Sequence, residues 1–206
     1  MLRFYYAADT CARASHIALA ESGASYETVR LDFANSDQRK PDYLRLNPKG
    51  RVPLLVTERG AVSETPAILA FVAQSFPAAR LAPLDDPFAF ARVQAFNSYL
   101  CSTVHVAHAH RLRGYRWADD AAAIAAMKLA VPRSVGECFQ LIEHEMLEGP
   151  WVMGDAYTIC DPYLYTLSGW LEADGVDPAR FPKVQDHRRR MDERPAVARM
   201  LAEERG

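Results

Sequence analysis

Residues 47–56 read NPKGRVPLLV, a loop sequence that leads directly into the apolar residues of a predicted strand. Pro53 stands where this strand begins, because proline lacks the N–H that a sheet ladder uses and is tolerated at a strand's first residue. If the Val52–Pro53 bond is cis, the N–H and C=O of Val52 point away from the sheet and need another partner. An extended, peptide-like ligand can supply it by pairing with Val52. Only about 5–6% of X–Pro bonds in folded proteins are cis, so this junction alone does not exclude an ordinary trans proline at the start of the strand.

The sequence before and after this junction predicts an α+β unit. Leu2–Tyr6 and Tyr26–Leu31 are short apolar strands, and the helix between them, Ala12–Ser22, ends at Gly23. The order is βαβ followed by ββα. The remaining predicted elements are an irregular charged segment at Asp32–Arg45, strands at Leu54–Thr57 and Ala61–Ser63, a hairpin turn at Glu58–Gly60, and a helix that is capped by Thr65 and begins at Pro66.

The second part of the chain is predicted to be entirely helical. Residues 78–87 are rich in proline and form a predicted linker between a first domain at 1–77 and a second at 88–206. The fold class expected is therefore a two-domain protein, α+β and then all-α. The predicted helices span roughly 88–115, 119–147, 159–172 and 181–194, and a short final helix follows.

Composition excludes several classes of function. The chain has 206 residues, 50% of them hydrophobic, and a formal net charge of -2, so no overall basic field would attract nucleic acid or an acidic membrane. We find no signal peptide and no stretch of membrane-spanning length, so we expect a cytoplasmic protein. The four cysteines are far apart and form neither a CxxC pair nor a zinc pattern, which argues against a disulfide framework.

Glu64 and Thr65 precede a helix and are candidates for ligand binding. A helix N-terminus offers free N–H groups and a positive dipole end, so it accepts a carboxylate. The Thr65 hydroxyl can cap its own helix or bind that carboxylate, and Glu64 can receive a ligand ammonium or remain a solvated charge. Together with Val52, these residues could hold an amino acid-like end and a peptide backbone.

Cys11 lies between the first strand and the first helix. A thiol at a helix N-terminus has a lowered pKa, and the same position could instead stabilise the thiolate of a bound ligand. The residue three positions later is Ala14, so a dithiol oxidoreductase is disfavoured and any redox chemistry is monothiol.

Three histidines, His105, His108 and His110, suggest a metal site at first sight. Only His105 and His108 have the spacing that shares a helix face, and no carboxylate or thiol in the segment completes a site. We therefore predict no metal, and interpret His105 as a hydrogen-bond donor that faces the cleft.

Four motifs in this order and spacing resemble the cytosolic glutathione transferases, and most closely their bacterial beta class. The resemblance spans nearly the whole chain and implies a thioredoxin-like domain joined to an all-α domain, in a homodimer. The motifs are Tyr5 to Cys11 with Ser15 and His16, Asn47 to Pro53, Glu64 to Ile68, and the capping box Thr158 to Asp161.

The resemblance also assigns roles to residues. It implies that Val52–Pro53 is cis, that Val52 binds the cysteinyl backbone of glutathione, and that Glu64 and Thr65 hold the γ-glutamyl end. Cys11 and His105 fall on the family's residues near the glutathione sulfur and are the expected catalytic residues. The expected glutathione-binding residues are Tyr5, Cys11, Val52, Pro53, Glu64, Thr65 and His105.

The expected pocket for the second substrate belongs to the helical domain. Trp170 matches an aromatic residue of the family's electrophile pocket, which Tyr115 and Trp117 are expected to line as well. Tyr5 aligns with a tyrosine that activates the thiol in other classes. Here it lies near the start of its strand, so we expect it to pack behind the residues that contact glutathione.

The sequence departs from the beta pattern at Ala12, Ser98 and Val106, where serine, asparagine and lysine are usual.

The resemblance implies a cytoplasmic detoxification enzyme, a transferase that activates the thiol of glutathione, its co-substrate, for attack on a hydrophobic electrophile. A second hypothesis is a glutathione-dependent thiol–disulfide reductase that uses Cys11. The three departures motivate a third, a non-catalytic ligand-binding protein, since a shared fold does not guarantee activity.

Overall fold

A computed structural model describes residues 1–205 of the chain. Its first part contains one mixed four-stranded sheet with the strand order β2-β1-β3-β4. Strand β1 is parallel to β2 and antiparallel to β3, which forms a hairpin with β4. The strands are β1 (Leu2–Tyr6), β2 (Tyr26–Arg30), β3 (Leu54–Thr57) and β4 (Gly60–Ser63).

Alternation along β1 gives the sheet two different faces. Phe4 and Tyr6 point into the main core with Leu55 of β3, where helices α1 (Ala12–Ser22) and α3 (Thr65–Ser75) cover the sheet. Tyr5 points to the other face and packs with Tyr43 in a smaller cluster. The predicted stop of α1 is confirmed, because Gly23 has a left-handed φ of 73°.

The prediction of an irregular segment at Asp32–Arg45 is wrong. The structure has a 3-10 turn at Asp37–Arg39 and a helix α2 at Pro41–Leu46. Pro41 occupies the first helical position, where its missing N–H has no cost. A helix of six residues is too short to show a helical period in the sequence, which is why the pattern did not reveal it.

The remainder of the described chain contains helices and no strand of the sheet, so the predicted fold class is confirmed. The long helix predicted at 88–115 is divided by a π-helical turn at Leu100–Val104, and the one at 119–147 ends in another at Ile142–Met146. Within residues 1–205, no helix has the length and apolar character needed to cross a membrane. The helices are α4 (Pro87–Tyr99), α5 (His105–Arg113), α6 (Ala121–Leu141), α7 (Cys160–Ser168), α8 (Pro182–Asp192) and α9 (Pro195–Arg205).

The capping box before α7 forms a network of buried hydrogen bonds. The buried Asp161 carboxylate accepts from the backbone N–H of Thr158 at 2.6 Å and of Val152 at 2.8 Å, and from His187 Nε2 at 3.0 Å. The Thr158 hydroxyl accepts from the N–H of Cys160 at 3.3 Å rather than from that of Asp161. Asp161 thus ties α7 to α8 and to the loop before it.

Candidate functional site

A cleft of about 550 Å³ lies between the sheet-containing half and the helical half. The loop before β3, the start of α1 and the start of α3 form one wall, which we call the β-side wall. Residues of α5, the turn after it and α7 form the opposite wall, which we call the helical wall. All the predicted site residues except Tyr5 line this cleft.

The peptide bond between Val52 and Pro53 is cis, as the resemblance implied. Strand β3 begins only at Leu54, so the N–H and C=O of Val52 lie outside the sheet ladder and at the cleft. Cys11 Sγ donates to the Val52 carbonyl across 3.7 Å. The Val52 backbone can therefore pair with an extended ligand.

Two buried side chains that the sequence analysis missed hold the loop before Val52. Asn47 Nδ2 and Tyr43 Oη both donate to the carbonyl of Arg51, at 2.7 and 2.6 Å. Asn47 stands at the head of the stretch that opened the sequence analysis, so its position was the available signal. Gly50 has a left-handed φ of 59°, and an added Cβ would lie 2.9 Å from the Gln38 carbonyl oxygen. Two hydrogen bonds to the Arg51 carbonyl and close packing around Gly50 therefore hold the loop in place.

The prediction that Thr65 caps α3 is wrong, because the helix already includes Thr65 and Glu64 is its cap. Glu64 has a φ of 74°, rare for a residue other than glycine, and its carboxylate makes no capping hydrogen bond. Such backbone strain occurs preferentially at functional sites. The Thr65 hydroxyl does not cap the helix and lies beside the Cys11 thiol, with which it forms a hydrogen bond. It lines the cleft at the N-terminus of α3, where a ligand carboxylate can approach.

Glu64 has a partner that the sequence analysis did not anticipate. Lys49 Nζ forms an ion pair with its carboxylate and donates to Ser63 Oγ at 2.6 Å. Both charged side chains are about half exposed, and exposed pairs of this kind contribute about 0–1 kcal/mol. A ligand ammonium can therefore compete with Lys49 for Glu64 at small cost.

Cys11 lies at the N-terminus of α1, but the expectation of a lowered pKa is wrong. Burial raises the pKa of the Cys11 thiol to about 11, against the opposing effects of the Thr65 hydroxyl and the Arg113 charge. The first helical N–H groups are also occupied, since Ala12 and Arg13 donate to Thr10. Cys11 is consequently a neutral thiol at physiological pH, suited to donate a hydrogen bond.

His105, in the first turn of α5, lines the helical wall opposite the β-side wall that contains Cys11. Burial, and secondarily the positive charge of Arg113, lower its pKa to about 3. The imidazole is therefore neutral at physiological pH and can donate one hydrogen bond without carrying a charge. This agrees with the interpretation of His105 as a hydrogen-bond donor at the cleft.

The aromatic residues predicted for the second substrate also lie on the helical wall. Trp170 packs against His105 with ring centroids 5.4 Å apart. Tyr115 and Trp117 follow α5 and remain 61% and 48% exposed, so apolar surface is open to a ligand. The structure thus brings these three aromatic residues to the same cleft as Cys11 and His105.

His108 is a cleft residue that the sequence analysis considered only as a metal ligand. Its Nδ1 lies 2.8 Å from the buried Asp174 carboxylate, and its ring stacks on Trp170 at 4.2 Å. Arg111 Nε lies 3.0 Å from the same carboxylate. The i, i+3 spacing from His105 was the signal that places both rings on one face of α5, whereas Asp174 is distant in sequence.

The comparisons with known proteins agree with this geometry. The family model "Glutathione S-transferase, N-terminal domain" matches residues 3–74, and "Glutathione S-transferase, C-terminal domain" matches residues 106–195. The glutathione S-transferase GstA of Escherichia coli O157:H7 is 27% identical, with 98% of each chain covered.

Solved structures are similar over the full length. A glutathione transferase homologue from Sulfitobacter, with bound glutathione, is 42% identical with a TM-score of 0.95, and 98% of each chain is covered. A bacterial beta class glutathione S-transferase from Sphingomonas chungbukensis is 30% identical with a TM-score of 0.85 over 98% of each chain. The chain therefore belongs to the glutathione S-transferase family.

Proposed function

We propose that this protein is a glutathione transferase whose cleft binds glutathione along the β-side wall and a hydrophobic electrophile along the helical wall. The observation that carries the proposal is the convergence of three groups on one cleft. These are the Val52 backbone beside its cis proline, the Thr65 hydroxyl, which does not cap α3, and the Cys11 thiol. Family membership supports the transferase activity, with glutathione as its co-substrate.

In this proposal, glutathione binds as an extended peptide. Its cysteinyl backbone pairs with Val52, and its γ-glutamyl carboxylate accepts from Thr65 and the N-terminus of α3. The γ-glutamyl ammonium approaches Glu64 in competition with Lys49. The glutathione sulfur then lies between Cys11 and His105, the two groups that the cleft holds neutral.

The proposed chemistry is activation of the bound thiol. Neutral Cys11 and His105 can each donate a hydrogen bond to a thiolate, which favours the charged form of glutathione and lowers its pKa. The thiolate attacks the electrophilic carbon, the new C–S bond forms, and the leaving group departs with its electron pair. Tyr115, Trp117 and Trp170 supply the apolar surface that holds the electrophile.

The alternatives of the sequence analysis are not favoured. A thiol–disulfide reductase attacks with a thiolate, whereas burial raises the pKa of Cys11 to about 11. A non-catalytic carrier would not need donors on both sides of a thiol.

The test compares wild type with Thr65→Ala. Conjugation of glutathione to 1-chloro-2,4-dinitrobenzene and the glutathione Kd from calorimetry are measured in both proteins. We expect Thr65→Ala to weaken glutathione binding by about tenfold, the equivalent of about 1.4 kcal/mol for a hydrogen bond to a charged group. Thr28→Ala, at an exposed strand position, is the control and should match wild type. Absence of glutathione affinity in the wild type would refute the proposal.

We also propose a cytoplasmic, homodimeric enzyme of detoxification. The family resemblance supports the dimer, and an open aromatic wall suits electrophiles of varied shape. Sedimentation at micromolar concentration tests the dimer directly, and a monomer would contradict it.

A further inference from the structure

Arg113 and Arg116 place positive charge beside the aromatic surface of the helical wall. Arg113 is the last residue of α5, and Arg116 ends the 3-10 turn Gly114–Arg116 that follows. Both line the cleft together with Tyr115 and Trp117. A pocket for purely apolar electrophiles has no need of two guanidinium groups at this position.

Neither guanidinium has an acidic partner among residues 1–205. The two carboxylates that line the cleft are already engaged, Asp9 with Arg13 and Glu64 with Lys49. The Nε of Arg113 is buried and has no hydrogen-bond partner within the described chain. By contrast, Arg188, Arg189 and Arg190 of α8 are all paired with carboxylates. A buried donor without a partner is costly, so a ligand acceptor is the natural complement of Arg113.

The positive charges also act on each other. Burial, and then repulsion by Arg116, lower the pKa of Arg113, and Arg51 across the cleft acts in the same direction. An anion placed between them relieves this repulsion. Guanidinium groups bind carboxylate and similar oxyanions through paired N–H donors, which also fixes the orientation of the ligand.

Glutathione itself does not account for these two arginines. In the binding mode proposed above, its γ-glutamyl carboxylate lies at the start of α3. Its glycyl carboxylate lies at the other end of the extended peptide, where Arg39 and Arg51 line the β-side wall. Neither carboxylate of glutathione therefore reaches Arg113 and Arg116, which lie on the wall assigned to the second substrate.

We propose that Arg113 and Arg116 bind an acidic group of the second substrate, so that the preferred electrophiles are aromatic molecules that carry a carboxylate or a comparable oxyanion. This inference rests on the proposed function. The anion anchors the electrophile at the end of α5, while Tyr115 and Trp117 contact its ring.

Two matched electrophiles test the proposal, 4-chloro-3,5-dinitrobenzoate and its methyl ester. In both, the glutathione thiolate forms a C–S bond at the chlorine-bearing carbon, chloride leaves with the electron pair, and the thiol proton passes to solvent. After correction for the uncatalysed rates, we expect wild type to favour the carboxylate over the ester by at least tenfold in kcat/KM. Arg113→Gln should lose about tenfold on the carboxylate, mainly in KM, and less than twofold on the ester.

The control variant is Arg133→Gln, which removes an exposed arginine of α6 that is paired with Glu137. It should behave as wild type with both electrophiles. Arg113→Lys, which keeps the charge but not the paired donors, should recover part of the preference. Equal activity of wild type on the acid and the ester, or equal losses on both in Arg113→Gln, would overturn the proposal.

Binding without turnover separates this inference from the proposed function. Unreactive 3,5-dinitrobenzoate and its methyl ester are titrated while the tryptophan fluorescence is followed, to which Trp117 and Trp170 of the cleft contribute. A preference for the carboxylate that Arg113→Gln abolishes supports the anion site even if no conjugation occurs. A loss of glutathione affinity in Arg113→Gln, measured by calorimetry, would instead assign Arg113 to glutathione and refute the proposal.

Discussion

The two walls of the cleft recognise their ligands by different means. The β-side wall presents the backbone groups of Val52 and of the first turn of α3 beside a few polar side chains, and its acidic side chains are already paired. The helical wall presents side chains, an aromatic surface and two guanidinium groups without acidic partners in the described chain. Backbone recognition suits one constant peptide ligand, whereas side chains can change their specificity without disturbing the fold. In the proposed function, the β-side wall binds glutathione and the helical wall selects the electrophile.

Each wall nevertheless keeps one titratable side chain neutral, Cys11 on the β-side wall and His105 on the helical wall. Burial raises the pKa of Cys11 on one wall and lowers that of His105 on the other, so both groups are neutral near pH 7. Each wall therefore contributes a neutral donor, and each has its own signature in the pH dependence of stability. The four predictions below test this comparison, in decreasing order of the expected change in the free energy of unfolding.

The largest effect is expected from Asp174→Asn on the helical wall. The Asp174 side chain is 2% exposed and contacts both His108 and Arg111, so its neutralisation removes a buried carboxylate and leaves the partly buried Arg111 guanidinium without its partner. Breaking a buried pair in this way costs about 3 kcal/mol or more. Urea denaturation measures the loss, and the electrophile KM should rise because His108 no longer supports Trp170.

The glutathione Kd of Asp174→Asn should stay within twofold of wild type, because the β-side wall is untouched. Glu172→Gln, which removes an exposed carboxylate paired with Arg188, is the control and should change stability by less than about 0.5 kcal/mol. If glutathione binding failed in the folded Asp174→Asn protein, the two walls would not be independent.

Gly50→Ala should have the next largest effect, and on the opposite wall. Gly50 has a φ of 59°, and the added Cβ would lie 2.9 Å from a backbone oxygen of Gln38 and 3.0 Å from Arg39. We expect a loss of about 2 kcal/mol and a weaker glutathione Kd, since the loop that presents Val52 must move.

Gly23→Ala is the matched control for Gly50→Ala. Gly23 also has a left-handed φ, of 73°, but nothing lies within 4 Å of an added Cβ. It should lose about 1 kcal/mol from the backbone conformation alone and keep the wild-type glutathione affinity. Equal glutathione binding in both variants would show that the Val52 loop tolerates displacement.

His105→Gln should reduce the loss of stability in acid. The folded pKa of His105 is lowered to about 3 from 6.5. Below pH 6.5, His105 binds a proton in the unfolded chain but stays neutral in the folded protein, so the free energy of unfolding falls as the pH falls towards 3. At pH 5 this amounts to about 1–2 kcal/mol, which His105→Gln should recover relative to pH 7.

Chemical denaturation at pH 7 and pH 5 measures the effect of His105→Gln. His16, whose pKa burial lowers to about 4, should leave part of the acid sensitivity in place. The exposed His144→Gln is the control and should keep the full sensitivity of wild type. An unchanged acid sensitivity in His105→Gln would mean that folding does not lower the pKa of His105.

The smallest effect is expected from Cys11→Ser in alkali. The folded pKa of Cys11 is raised to about 11 from 9.0, so above pH 9 the unfolded chain releases a proton that the folded protein retains. Stability therefore falls as the pH rises from 9 towards 11, by about 1 kcal/mol at pH 10. Cys11→Ser should lose less between pH 8 and pH 10 than wild type, and identical losses would show that folding does not raise the pKa of Cys11.

Local sequence patterns determined most of the backbone of this protein. The short apolar run at Leu2–Tyr6, the stop at Gly23 and the proline at residue 53 correctly predicted a strand, a helix end and the junction before β3. The short helix at Pro41–Leu46 was missed because six residues do not display a period. The π-helical turn at Leu100–Val104 was missed because it interrupts a helix without a proline or glycine to mark it.

Tertiary structure alone decided the state of the side chains in the cleft. Burial set the pKa of Cys11 against the effect expected from its place at a helix N-terminus, and it made His105 neutral. In the folded chain Lys49 pairs with Glu64 and His108 contacts Asp174, whereas Arg113 Nε has no hydrogen-bond partner within the described chain. The physical reason is range: backbone conformation depends on neighbours in sequence, whereas desolvation and ion pairing depend on groups that only the folded chain brings together.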